Sequence, residues 1–216
     1  MNAHLTANPL ETGTDELERY ALEECIKRQR VDHKVSVLVM PAGRCELATQ
    51  FARMGAQVTV ADRHERKQDA EGRILAAGLR DEMRFLSSAV PELPASPPDE
   101  LFDIIVLRRG LCSLPYDEAR RVVRSLLLHL KIGGKLYISI LGLHSELSEG
   151  YAGRDIEVEE RFTELAPPMI KKYGINGPVC LYSERNLFML LLEAGASVLR
   201  TLTTTYGNVK GIAVRV

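Results

Sequence analysis

The sequence has no tryptophan, and its four cysteines are Cys25, Cys45, Cys112 and Cys180. None of them forms a Cys-x-x-Cys pair or any other metal-finger spacing, which excludes a zinc module and a disulfide scaffold. The thiols read as reduced, in a reducing compartment. His33, His64 and His129 share no metal-ligand spacing, so no metal is expected. Long apolar runs are also missing. The longest, Leu187 to Leu192, falls far short of the roughly 20 residues of a membrane helix. The opening stretch MNAHLTANPLETGT has no basic region followed by an apolar core, so no secretory leader is expected and the reading is a cytoplasmic protein. An excess of one charge is absent too. With 28 basic and 29 acidic residues the net charge is −1, which gives no broad field for nucleic acid or an anionic membrane. What remains, 45% hydrophobic and 26% charged over 216 residues, is the composition of a globular chain of one domain or at most two.

Periodicity divides the chain into alternating strands and helices. Residues 1–14 read as a tail, and a helix follows from Asp15 to about Arg30 with Leu17, Ala21 and Cys25 four apart. Val35–Met40 (VSVLVM) is a buried strand, Arg44–Met54 a helix closed by Gly55, and Ala56–Ala61 a second strand. A helix over Arg66–Ala77 stops at Gly78, and Met83–Leu86 is a short third strand. The four prolines of 90–100 impose a loop. Phe102–Leu107 is a fourth strand, Asp117–Leu130 the clearest helix, and Lys135–Leu141 a fifth strand after a Gly133-Gly134 turn. Residues 142–182 are polar and broken, with a helix expected near 156–164. Ser183 can cap a helix running to Ala194. Segments 196–204 and 208–215 read as a hairpin joined through Tyr206-Gly207-Asn208. The expected fold is therefore α/β, a doubly wound, mostly parallel seven-stranded sheet ending in an antiparallel hairpin.

In such a sheet a ligand binds beyond the carboxyl ends of the strands, where the strand order reverses. The segments to examine are 41–46, 62–65 and 108–114. Asp62 is the leading candidate, because an acid at the end of the second strand can accept hydrogen bonds from a ribose diol. An Asp in this place also serves simply to cap the next helix.

The order of elements resembles the class I S-adenosylmethionine-dependent methyltransferases over residues 35–216. VSVLVMPAGRCELA (35–48) lies where that family has its glycine-rich first motif, and VTVAD (58–62) is similar to its acidic second motif. FDIIVLRRGLCSLPYDEARRVVRSLLLHLKIGGKLYISI (102–140) and YSERNLFMLLLEAGASV (182–198) resemble its later elements. The resemblance implies a Rossmann-like fold with an N-terminal segment (1–34), a main domain (35–216) and a lid or substrate-binding insertion (142–182). It implies S-adenosylmethionine as cofactor, held by Pro41, Ala42, Gly43, Asp62, Arg63, Ser88, Ala89 and Arg108. It places a small-molecule substrate near Arg109, His144, Tyr151 and Tyr182. Departures are visible. The family's Gly-x-Gly-x-Gly falls on Pro41, Gly43 and Cys45, its preceding acid on Val39, and its adenine-side acid on the stretch Ser87-Ser88-Ala89. Proline fixes φ and removes a donor where a close backbone approach is wanted.

The residues at the crevice raise three further expectations. Arg44, Arg108 and Arg109 should converge there and suit a carboxylate or phosphate, although solvated surface arginines are common. Cys45, at a helix N-terminus, is a candidate for a lowered thiol pKa, with buried inert packing as the plainer alternative for it and Cys112. His144 and Glu146, after the fifth strand, are candidates for a general base. Three functional readings follow: methyl transfer to a small molecule, a non-catalytic binding or regulatory protein of the same fold, and an NAD(P)-dependent oxidoreductase. The open edge of the terminal hairpin is a candidate surface for a homodimer.

Overall fold

The computed structural model describes residues 15–31, 34–88 and 101–216. The tail 1–14, His33, Ala89 and the proline-rich stretch 90–100 lie outside the described residues. Strands β1 (Ser36–Met40), β2 (Gln57–Asp62), β3 (Met83–Ser87), β4 (Phe102–Arg108) and β5 (Leu130–Ile140) are joined by helices α2 (Glu46–Arg53), α3 (Lys67–Ala77) and α4 (Tyr116–His129), after an opening helix α1 (Glu16–Gln29). An insertion holds β6 (Thr163–Glu164), α5 (Pro167–Tyr173) and β7 (Pro178–Val179). Helix α6 (Glu184–Glu193) leads into the hairpin β8 (Ser197–Thr203) and β9 (Val209–Val214). The main sheet has the order β3-β2-β1-β4-β5-β9-β8, parallel from β3 to β5 and antiparallel for the last two strands.

Central strands are continuous apolar runs because both faces are covered. Alternate residues choose the layer. Val37, Val39, Ile104 and Val106 pack with Leu17, Ala21, Cys25, Leu47 and Phe51 of α1 and α2. Leu38, Met40, Ile105 and Leu107 pack with α4, α6 and the insertion. Helix α1 is fixed by charge as well as by its apolar stripe. Asp103 is buried and pairs with Arg28 at 3.4 Å and Lys131 at 2.7 Å, while Glu24 pairs with Arg28 at 2.9 Å and Lys135 at 2.7 Å. Ser183 caps α6 through a reciprocal box with Asn186, as its sequence suggests.

Two local expectations are corrected. No helix forms at 156–164, where the chain makes successive turns. Arg161 explains this. Its buried guanidinium donates to the Ile156 carbonyl from Nε at 3.1 Å and from Nη2 at 2.7 Å, and its Nη1 donates to Leu181 O at 2.9 Å and Asn186 Oδ1 at 3.0 Å. The carbonyl that a helix would give to residue 160 is thus taken by a side chain. The insertion's helix is instead α5, which opens on Pro167-Pro168, where missing N–H groups cost nothing because the first turn has no acceptors for them. The second correction concerns β5, which begins at Leu130 and runs through Gly133-Gly134; the register against β4 shifts between Phe102 and Ile104. A bulge absorbs what the glycines suggested was a turn.

Where the carboxyl end of β5 meets the hairpin turn, backbone packs on backbone. A Cβ built on Gly142 would lie 1.7 Å from Gly207 O, and one on Gly207 would lie 2.3 Å from the His144 carbonyl. Gly142 N donates to Asn208 Oδ1 at 3.2 Å, and the next residue, Leu143, donates to Tyr182 O at 2.8 Å.

Candidate functional site

The strand order reverses between β1 and β4, where successive crossovers run to opposite sides of the sheet. A cleft of about 420 Å³ opens there, within the range of small-ligand sites. Each wall is the carboxyl end of a strand: Met40 and Pro41 from β1; Ala61, Asp62, Arg63 and Arg66 from β2 and its exit; Ser88 beyond β3; and Arg108, Arg109, Gly110 and Ser113 from β4 and its exit.

The loop after β1 turns tightly, with Cys45 N donating to Ala42 O at 2.8 Å. Gly43 has φ 54° and Cys45 φ 60°. Cys45 thus holds left-handed backbone at a position where the related pattern has glycine, and an L side chain is strained there. Arg109, across the cleft, has φ 57°. These two are the non-glycine residues of positive φ among the described residues, and they follow the two strands that flank the reversal.

Asp62 Oδ1 accepts from Arg63 N at 2.9 Å, and Ser88 N donates to Asp62 O at 2.9 Å. An ionised carboxylate accepts more than one bond, so Asp62 retains capacity toward the cleft. Ser88 Oγ is buried with no hydrogen-bond partner among the described residues, although Ser88 lines the cleft. A buried hydroxyl left unpaired is costly, and a ligand polar atom would satisfy it.

Arg108 Nη1 pairs at 2.7 Å with Glu18 Oε1 from α1, and the Glu18 side chain is only 3% exposed. Burial pushes the Glu18 carboxyl up from its ordinary value, against the opposing pull of Arg108. Arg66 reaches back to Gly43 O at 3.2 Å and to Asp69 at 3.0 Å.

Of the residues expected to hold a cofactor, Pro41, Asp62, Arg63, Ser88 and Arg108 line this cleft, as does Arg109. Ala42 lies buried beneath the loop, Gly43 is exposed beside it, and Ala89 is outside the described residues. The expected convergence of Arg44 with Arg108 and Arg109 is corrected: Arg44 is exposed and does not line the cleft, and Arg66 comes in its place. The lowered thiol at Cys45 is corrected too, since burial pushes that thiol up. Cys112 is pushed up to about 12 by burial, and its Sγ accepts from Leu141 N at 3.0 Å, so it is an inert packing group.

None of His144, Glu146, Tyr151 and Tyr182 lines the cleft. His144 is exposed. Glu146 is paired with Lys172 and accepts from Tyr173 Oη at 2.7 Å, and these contacts hold its carboxyl below the usual range, the wrong direction for a base poised near neutrality. Tyr151 is buried with its hydroxyl 2.5 Å from Arg161 O and 2.7 Å from Val179 O. Tyr182 is fully buried and stacks on Tyr116 with ring centroids 6.2 Å apart. As placed, both tyrosines hold the insertion to the core.

Two residues of the site escaped the sequence reading. Glu18 lies three residues before Ala21 and seven before Cys25, so the helical period already puts it on the buried stripe of α1. Arg66 had no such signal, because a residue one turn past a strand can point either way.

Neither protein-family models nor curated proteins give any match to the sequence. Solved structures do. An S-adenosylmethionine-dependent methyltransferase from Methanosarcina mazei superposes with TM-score 0.67 at 23% identity, covering 88% of this chain and 97% of its own. An O-methyltransferase family protein from Burkholderia thailandensis gives TM-score 0.62 at 16% identity over 92% of this chain, which spans only 56% of that one. The cyclase SpnF gives TM-score 0.61 at 19% identity over 88% of this chain and 60% of its own. A fold shared with a cyclase does not by itself fix an activity. The strand order, the two helical layers and these superpositions together establish the architecture: this chain has the fold of the class I S-adenosylmethionine-dependent methyltransferases.

Proposed function

We propose that the cleft binds S-adenosylmethionine and that the protein transfers a methyl group to a small acceptor. The observation that carries this reading is Asp62 at the carboxyl end of β2, facing the cleft at the strand reversal. Its carboxylate suits a ribose diol. The unpaired Ser88 hydroxyl suits a polar edge of the base. Arg109 or Arg63 suits a carboxylate. When bound, the cofactor would supply a methyl carbon made electrophilic by a positive sulfur, open to an acceptor lone pair in line with the sulfur, which can leave with the bonding pair as a neutral thioether. The chain's own share is alignment and the exclusion of water, which requires no fixed catalytic residue. The insertion 142–182 contributes Leu147, Leu165 and Met169 to the core and supports a role in acceptor choice through its placement beside the hairpin turn.

A second reading has its own observation. The first loop carries Pro41 and a strained Cys45 in place of glycines, which favours a binding protein of this fold that performs no transfer. Calorimetric titration with S-adenosylmethionine, S-adenosylhomocysteine and NADPH tests both. Micromolar binding of the sulfur ligands, lost in Asp62→Ala, supports cofactor binding. No heat with either up to millimolar concentration rejects it, and tight NADPH binding with none of the sulfur ligands would point to redox chemistry instead. Binding without methyl transfer to any offered acceptor favours the second reading.

A further inference from the structure

Among the described residues the cleft is lined by four arginines and one acid, Asp62, yet its proposed ligand carries a positive sulfonium. Unit charges of like sign about 7 Å apart repel strongly enough, at an effective dielectric near 20, to change affinity by a factor of ten to a hundred. Two ion pairs offset part of this: an exposed one between Arg66 and Asp69 at 3.0 Å, and a buried one. Arg108, which lines the cleft, is held at 2.7 Å by Glu18, whose side chain is almost wholly buried. An acid in that position is expensive to desolvate, and α1 does not need it for anchorage, since Leu17, Ala21, Cys25, Glu24 and Arg28 already tie the helix to the sheet. Asp15 fixes its place: the Asp15 carboxylate accepts from Glu18 N at 3.0 Å and pairs with the buried Lys210 at 2.7 Å.

We infer that Glu18 is a specificity-determining residue which cancels the Arg108 charge and so lets the cleft admit a cationic adenosyl ligand rather than only a neutral or anionic one. Glu18 acts through Arg108 and does not touch the ligand, so it is a positioning residue that sets charge. The inference rests on the reading of the cleft as an S-adenosylmethionine site.

Its test is the ratio of dissociation constants for S-adenosylmethionine and S-adenosylhomocysteine, which differ by the methyl group and its positive charge. In Glu18→Gln the ratio should rise at least tenfold over the wild type. In Arg108→Gln it should fall, and in the double variant it should return to within threefold of the wild-type value, because the pair is removed together. Thermal melts of each variant report folding, and if Glu18→Gln does not fold, Arg108→Gln and the double variant decide. An unchanged ratio in the folded variants, even with a lowered melting temperature, overturns the inference and leaves Glu18 as an anchor of α1. Absence of binding of either ligand by the wild type overturns the underlying reading, and this inference with it.

Discussion

Two loops leave the same edge of the sheet and treat glycine in opposite ways. At the exit of β5 the glycines are dictated by protein: Gly142 and Gly207 let two backbones touch, and a Cβ on either has no room. At the exit of β1 the glycine of the related pattern has given way to Cys45 at φ 60°, and Gly43 faces open space. Where backbone meets backbone, packing enforces glycine in the absence of any ligand. Where backbone would meet a ligand, the requirement belongs to the ligand's shape and charge, and the fold stands without it.

Substitutions that exchange the two situations probe this contrast. The largest effect is expected for Gly142→Ala, whose Cβ would strike the Gly207 carbonyl, with a loss of about 3 kcal/mol by denaturant unfolding. A loss below 1 kcal/mol would mean that the crossing yields easily and that the contrast fails. Arg161→Met should come next, at about 2 kcal/mol, because it strips the buried Leu181 carbonyl and the part-buried Ile156 carbonyl of their donors; proteolysis within 142–182 should quicken more than elsewhere. Gly43→Ala, strained by φ 54° but with open space around it, should cost about 1 kcal/mol. The smallest change is expected for Cys45→Gly. Relief of left-handed strain, about 1 kcal/mol, opposes the lost burial of a thiol of similar size, so the midpoint should barely move. A large destabilisation there would show that the first loop is held by packing as firmly as the β5 exit.

The same contrast explains what could be read in advance. Strands β1, β2 and β4 and the α4 stripe are written in local apolar patterns, and Asp62 follows from its place at a strand end. The expected helix at 156–164 failed because the Arg161 side chain takes the Ile156 carbonyl while anchored to Leu181 and Asn186, up to 25 residues away, an anchorage no local period encodes. The arginine cluster was half legible. Arg108 and Arg109 follow from strand position, whereas the choice of Arg66 over Arg44 depends on how a loop turns, and the neutralisation of Arg108 depends on a helix far earlier in the chain. The substrate roles expected of Tyr151 and Tyr182 came from the family resemblance, and sequence position alone did not reveal that both side chains are buried.

The long-range polar contacts of α1 bear on the order in which the molecule assembles. Glu24 waits for Lys135, 111 residues later, Arg28 for Asp103, 75 residues later, and Tyr20 for Arg200, 180 residues later. A chain emerging from the ribosome therefore presents this helix long before its partners exist. Distant contacts carry a closure cost that nearby ones do not, so α1 should dock late, after the central strands have paired. The edge of the cleft nearest Arg108 is then among the last parts of the protein to be finished.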